Sequence, residues 1–193
     1  MREEANSQNS ELFDVKTNSQ YLAARPETEA EQVLVLGLGN ILLKDEGVGV
    51  HIVRRLAECN LPDNVEVIDG GTAGLDLLLS RHRPYKLILI DATRAGHKPA
   101  AFCKMRLRAN EIGDWTRRLR QEQHARISLH QVGLVDALAA AQKLGCAPAE
   151  LVIVGVEPEK IDYGLQLTEK ISRRIPQIIQ TVLEEIKDAV HTK

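Results

Sequence analysis

The sequence predicts an α/β fold, a single three-layer domain with a twisted, mostly parallel sheet and helices on both faces. Two observations predict it. Short apolar runs recur at Val33–Leu36, Leu87–Ile90 and Leu151–Val156, as expected for strands buried on both faces, with a further short strand at Val65–Ile68. Longer segments with helical spacing separate them, and strands alternating with helices build a parallel sheet. The 193-residue length is enough for one core, since a domain of this size buries about 70% of the surface its unfolded chain exposes.

The elements follow in order. Residues 1–31 are rich in Glu, Asn, Ser and Gln and show no sustained apolar period, so they are expected to form a disordered polar leader. The folded domain is expected at 32–193. Val33–Leu36 reads as the first buried strand and runs into Gly37 and Gly39, where the backbone can turn tightly. Asp45–Cys59 reads as a helix, with Val48, Ile52, Val53 and Leu56 on one face. Gly47 and Gly49 thin its start, and two glycines in one turn imply a packing or access requirement.

Val65–Ile68 is a second short strand, expected to stop at Asp69-Gly70-Gly71. Leu75–Leu79 continues as a helix. Leu87–Ile90 is the third strand and ends in Asp91. Phe102–Leu107 alternates weakly, as an edge strand does. Arg117–Arg126 is a basic segment, either a solvated helix face or loop, or a docking surface for an acidic partner. Gln131–Leu144 is a helix with Gly145 placed to end it. Leu151–Val156 is the last strand. A terminal helix runs from Thr168, its expected N-cap, to about Val190. Pro176 inside it predicts a kink or restart.

Composition excludes several classes. The formal charge is −2, so no general attraction to nucleic acid or anionic membrane follows. Aromatics make up 3% of the chain, too few for a platform that stacks single-stranded bases. No apolar run approaches the 18 or so residues of a membrane-spanning helix. Cys59, Cys103 and Cys146 lie far apart with no CxxC pair. This pattern speaks against a thiolate zinc site and fits a reducing cytoplasm.

The chemistry is expected at one rim. In an open α/β sheet, ligands bind outside the carboxyl ends of the strands. Glu46 lies in the loop after the first strand, Asp91 ends the third, and His130 immediately precedes a helix. Two carboxylates and an imidazole suit nickel, zinc or a similar divalent ion. Three protein ligands leave positions open for water or substrate. Taken singly, each residue is an ordinary helix-start charge, turn cap or surface histidine. Their convergence is what makes a site. Asp69-Gly70-Gly71-Thr72-Ala73-Gly74 is a second glycine loop at the same rim.

The motifs GLGNILLKDEGVG (Gly37–Gly49), DGGTAG (Asp69–Gly74), the strand ending in Asp91, LHQVGL (Leu129–Leu134) and LVIVGVEPE (Leu151–Glu159) occur in this order. In this the chain resembles the hydrogenase maturation endopeptidases, which trim the large subunit of nickel–iron hydrogenases. The resemblance covers about Gln32 to the C-terminus and implies that 32–193 is the peptidase domain. It implies that Glu46, Asp91 and His130 are the catalytic and metal-binding residues. It further implies removal of a C-terminal extension from the nickel-loaded large-subunit precursor, the nickel being presented by that substrate. The family is often classed with aspartic-type peptidases, whose paired carboxylates share a proton. Metal-assisted attack by water is the preferred expectation here. The long polar leader and the basic Arg117–Arg126 segment depart from the family pattern.

Two other functions share some of these features. GLGN after a strand begins like the dinucleotide-binding GxGxxG, with Asp69 where a ribose-binding acid would stand. Leu42, however, occupies the third glycine position, and Asp45 and Glu46 would repel a pyrophosphate. A non-catalytic, nickel-dependent chaperone would use the same three ligands.

Overall fold

The computed structural model describes residues 32–73, 84–121 and 129–191, with backbone alone for 129–132, 190 and 191. The predicted leader, the predicted helix at 75–79 and the basic residues 122–126 lie outside the described residues. The elements are β1 (Val33–Leu38), α1 (Val48–Leu56), β2 (Val65–Gly71), β3 (Lys86–Ala92), β4 (Phe102–Arg108), α2 (Ala109–Gln121), α3 (Leu129–Lys143), β5 (Glu150–Val156) and α4 (Glu169–His191).

The five strands lie in the order β2-β1-β3-β5-β4. β1 pairs in parallel with β2 and β3, and β3 with β5. β4 is the antiparallel edge strand beside β5, which explains its weak alternation. β2 does not stop before Asp69-Gly70-Gly71 but carries them as its last three residues, with a register shift opposite Gly37 and Leu38.

Alternate residues of the central strands feed two cores. Val33, Val35, Ile88, Ile90, Val152 and Val154 pack with α1 and α4. Leu34, Leu36, Leu38, Leu87, Leu89 and Leu151 pack with Ile112 of α2 and Leu134 and Leu138 of α3. This period of two on strands buried from both sides makes the three layers. Each such fully buried aliphatic side chain contributes about 1.5–3 kcal/mol.

The glycines of the first motif serve packing within the chain. A Cβ on Gly49 would lie 2.2 Å from the Ile90 carbonyl oxygen and 2.4 Å from that of Leu38. A Cβ on Gly37 would lie 2.3 Å from the Gly49 oxygen. The thin helix start thus lets α1 sit directly on the backbones of β1 and β3, so the packing requirement explains it. Gly49→Ala is expected to lower stability by about 1–3 kcal/mol, toward the upper end because the opposing atoms are backbone. Chemical denaturation checks this.

α2 was legible only as a basic segment. Arg117 pairs with Asp114 on its own helix and Arg120 with Asp136 on α3, so residues 117–121 form a solvated helix face. α3 ends as predicted: Gly145 has φ +70°, and the Cys146 N–H reaches the Ala141 carbonyl at 2.9 Å. α4 runs through Pro176 as one helix, so of the expected kink or restart, the restart does not occur. Thr168 stands at the N-cap position of α4, its carbonyl accepting the Ser172 N–H at 2.9 Å, and its hydroxyl donates to Asp45 at 2.9 Å.

Candidate active site

The strand order places a crevice. The chain leaves β1 toward β2 on one side, and β3 lies on the other, so the connections diverge at the carboxyl ends of β1 and β3. Ligands bind at such a point in open α/β sheets. Glu46 stands there in a 3-10 turn, Lys44–Gly47, between β1 and α1. The turn packs against β3.

Asp91, near the end of β3, is 3% exposed. Its Oδ1 accepts the Ala92 N–H at 2.8 Å. Burial pushes its carboxyl up to about 7; the Ala92 hydrogen bond opposes this, and the negative charge of Glu46 adds to the rise. Glu46 and Asp91 are therefore neighbours whose charges repel, as an acidic pair awaiting a cation or a shared proton would.

His130 lies in the first turn of α3, and its side chain is outside the description. The backbone path still fixes which end it occupies. α3 leads down to the start of β5 at Glu150, so its 15 residues, about 22 Å of helix, begin at the carboxyl rim. Among the described residues, no set of three His, Cys, Asp or Glu side chains is gathered for a metal; Glu46 and Asp91 are two of the expected three.

Asp45 is the residue that sequence reasoning missed. It was read only as a charge repelling phosphate. It is fully buried, and its Oδ2 accepts from the Glu159 and Lys160 N–H groups at 3.0 and 2.9 Å and from the Thr168 hydroxyl. Its Oδ1 accepts from the Thr168 N–H at 2.7 Å. No local signal marks this role, because every partner lies more than a hundred residues further on.

Against the same turn, Gly39 (φ +129°) lies so close that an added Cβ would come within 1.9 Å of the Glu46 backbone oxygen. Gly39 also lines a cavity of ≈ 320 Å3 together with Ile41, Leu42, Val50, Arg54 and Asp69. Asp69, weighed above as a ribose ligand, is held by Arg54 at 2.9 Å and by the Gly71 N–H. This cavity lies on the β2 side of the rim, lined by the residues after β1 and by the end of β2. With acidic side chains at the helix entry, it is no phosphate cradle.

A sequence model of the hydrogenase maturation protease family matches residues 50–185, more than half the chain, including Asp91 and His130. The chain belongs to this family. Among its relatives, the hydrogenase 2 maturation protease of Escherichia coli is 38% identical over 159 residues, covering 82% of this chain and 92% of that protein. The hydrogenase expression/formation protein HupD of Rhodobacter capsulatus is 36% identical over 164 residues, covering 84% and 74%. The solved hydrogenase maturating endopeptidase HybD from E. coli superimposes with a TM-score of 0.71 at 36% identity, covering 82% and 93%. Membership makes this a peptidase and agrees with the fold and activity that the motifs implied. No helix among the described residues is long and apolar enough to cross a membrane.

Proposed function

We propose that this maturation protease removes the C-terminal extension of the nickel-loaded large subunit of a nickel–iron hydrogenase. The observation that carries the reading is the buried Asp91 carboxyl beside Glu46 at the divergence of β1 and β3. Two acids in one crevice favour a bound cation, and the nickel of the substrate supplies it. Glu46, Asp91 and His130 are the groups assigned to that contact. They would complete the coordination of the nickel and hold the adjoining peptide bond in the crevice.

Attack on the bond then falls to a water made more acidic by the metal and oriented by a carboxylate. This replaces the shared proton of a two-carboxylate mechanism. The metal arrives with the substrate, so cleavage is limited to precursors that have been loaded. The reaction belongs in the cytoplasm on this reading, in keeping with the free thiols of Cys59, Cys103 and Cys146.

The test is a mass measurement. Incubation with nickel-loaded precursor is expected to release the C-terminal peptide, and nickel-free precursor is expected to stay whole. Binding of loaded precursor without any mass loss would replace the peptidase reading with the nickel-dependent chaperone.

A further inference from the structure

We infer that Asp45 is a positioning residue: its buried carboxylate locks the Glu159–Thr168 loop onto the turn that carries Glu46, and so fixes where Glu46 points. The inference rests on the reading of Glu46 given above. Three kinds of contact support it.

The first is the completeness of the Asp45 site. Its side chain accepts three backbone N–H groups and one hydroxyl, at 2.7–3.0 Å. Every partner is a donor, so only an acceptor on both oxygens fits; a carboxylate meets this and an amide cannot. The second is the path of the backbone. The Lys44 N–H donates to the Gly164 carbonyl at 2.8 Å, and the Gly164 N–H donates to the Leu42 carbonyl at 2.9 Å. The Asp45 N–H also donates to the Lys160 carbonyl at 3.3 Å, so the loop runs alongside the residues leading into Glu46 and holds them by three backbone bonds. The third comes from the residue after β1. Gly39 packs against the backbone of Glu46 itself, so the turn is held by the end of β1 as well as by the loop.

A carboxylate that must meet a reacting centre gains from such support. Groups that orient a metal ligand from behind typically matter by about 10–100-fold in activity or affinity. Asp45 does this through the main chain next to Glu46, and one exchange of an acceptor for a donor would loosen it.

The experiment uses the full chain and nickel-loaded precursor. Asp45→Asn is expected to lower kcat by about 10–100-fold with KM for the precursor unchanged. Thr168→Val removes the hydroxyl donor alone and is expected to lower kcat in the same direction by less. Thr168→Ser restores the donor and is expected to restore kcat. If Asp45→Asn fails to fold, the two Thr168 variants decide. Folded Asp45→Asn or Thr168→Val protein with normal kcat overturns the inference, as does a change in KM alone, which would mark the loop as a precursor contact. Glu46→Gln separates the two levels. If it is inactive while the Asp45 and Thr168 variants are normal, only the positioning role falls. If Glu46→Gln cleaves normally, the site reading falls and takes the inference with it.

Discussion

Asp91→Asn is expected to cut precursor cleavage by about 10²–10⁴-fold, the range lost with a positioned catalytic group, while the protein melts no earlier than the wild type. The two halves of this expectation have one cause. Asp91 is buried at the end of β3, where burial and then Glu46 act against its negative charge. Asparagine keeps the shape, and its Oδ1 still accepts the Ala92 N–H that Asp91 accepts. What is removed is a charge that the folded protein bears at a cost and that the proposed reaction needs. Cleavage of loaded precursor, followed by mass, together with a melting curve, reads both. An early-melting variant would show that Asp91 serves the fold instead.

His130→Ala belongs with it and is expected to abolish cleavage with the fold retained. Full activity in that variant would remove the imidazole from the mechanism. Glu46 and Asp91 would then form a carboxylate pair working by a shared proton.

What could be read in the sequence follows from which interactions are local. β1, β3 and β5 announce themselves because strands buried from both sides must be apolar at nearly every position. The sites of Glu46 and Asp91 follow, since each lies a fixed short distance from such a strand. α2 was missed although Ile112, Trp115 and Leu119 recur at helical spacing; these few apolar residues stand among many charged ones, and Ile112 and Thr116 are its fully buried residues. Thr168 stands at the N-cap position that was read for it, but the bond from its hydroxyl to a carboxylate 123 residues away had no local signal. The same distance in sequence concealed Asp45. The glycines were ambiguous between packing and access until the backbones of β1 and β3 were seen beneath them.

The largest stability effect is expected away from the rim, at Glu185 on α4. Its side chain is buried and bonds Lys86 Nζ at 2.8 Å, Lys104 Nζ at 2.6 Å and Arg106 Nη2 at 2.6 Å. Glu150 joins through Lys86 and Arg106, each at 3.2 Å. Lys86 and Glu150 open β3 and β5, so this network lies at the opposite edge of the sheet from Asp91 and ties α4 to it. Burial works against the Glu185 charge, but hydrogen bonds from Lys104, Lys86 and Arg106 outweigh it and hold the carboxyl down at about 2.

Glu185→Ala leaves the buried Lys86 ammonium without its main partner. Breaking a buried pair from one side costs about 3–5 kcal/mol, and the half-exposed Lys104 and Arg106 place this case near 3. Lys86→Met is expected to be far milder, about 1 kcal/mol or less, because it removes a costly buried charge while Glu185 keeps its two other cations. The pH dependence has a definite sign. A carboxyl depressed by folding contributes its stability above its ordinary pKa of 4.5 and loses it as pH falls through the folded value. The gap between wild type and Glu185→Ala should therefore be full at pH 7 and shrink between about 4.5 and 2. Denaturant titrations at pH 7 and pH 3 measure it. A gap of the same size at both would mean that Glu185 stabilises by packing, with its charge idle. At any one pH, cleavage by folded Glu185→Ala protein should match that of the wild type, since the network lies at the opposite end of the strands from Asp91.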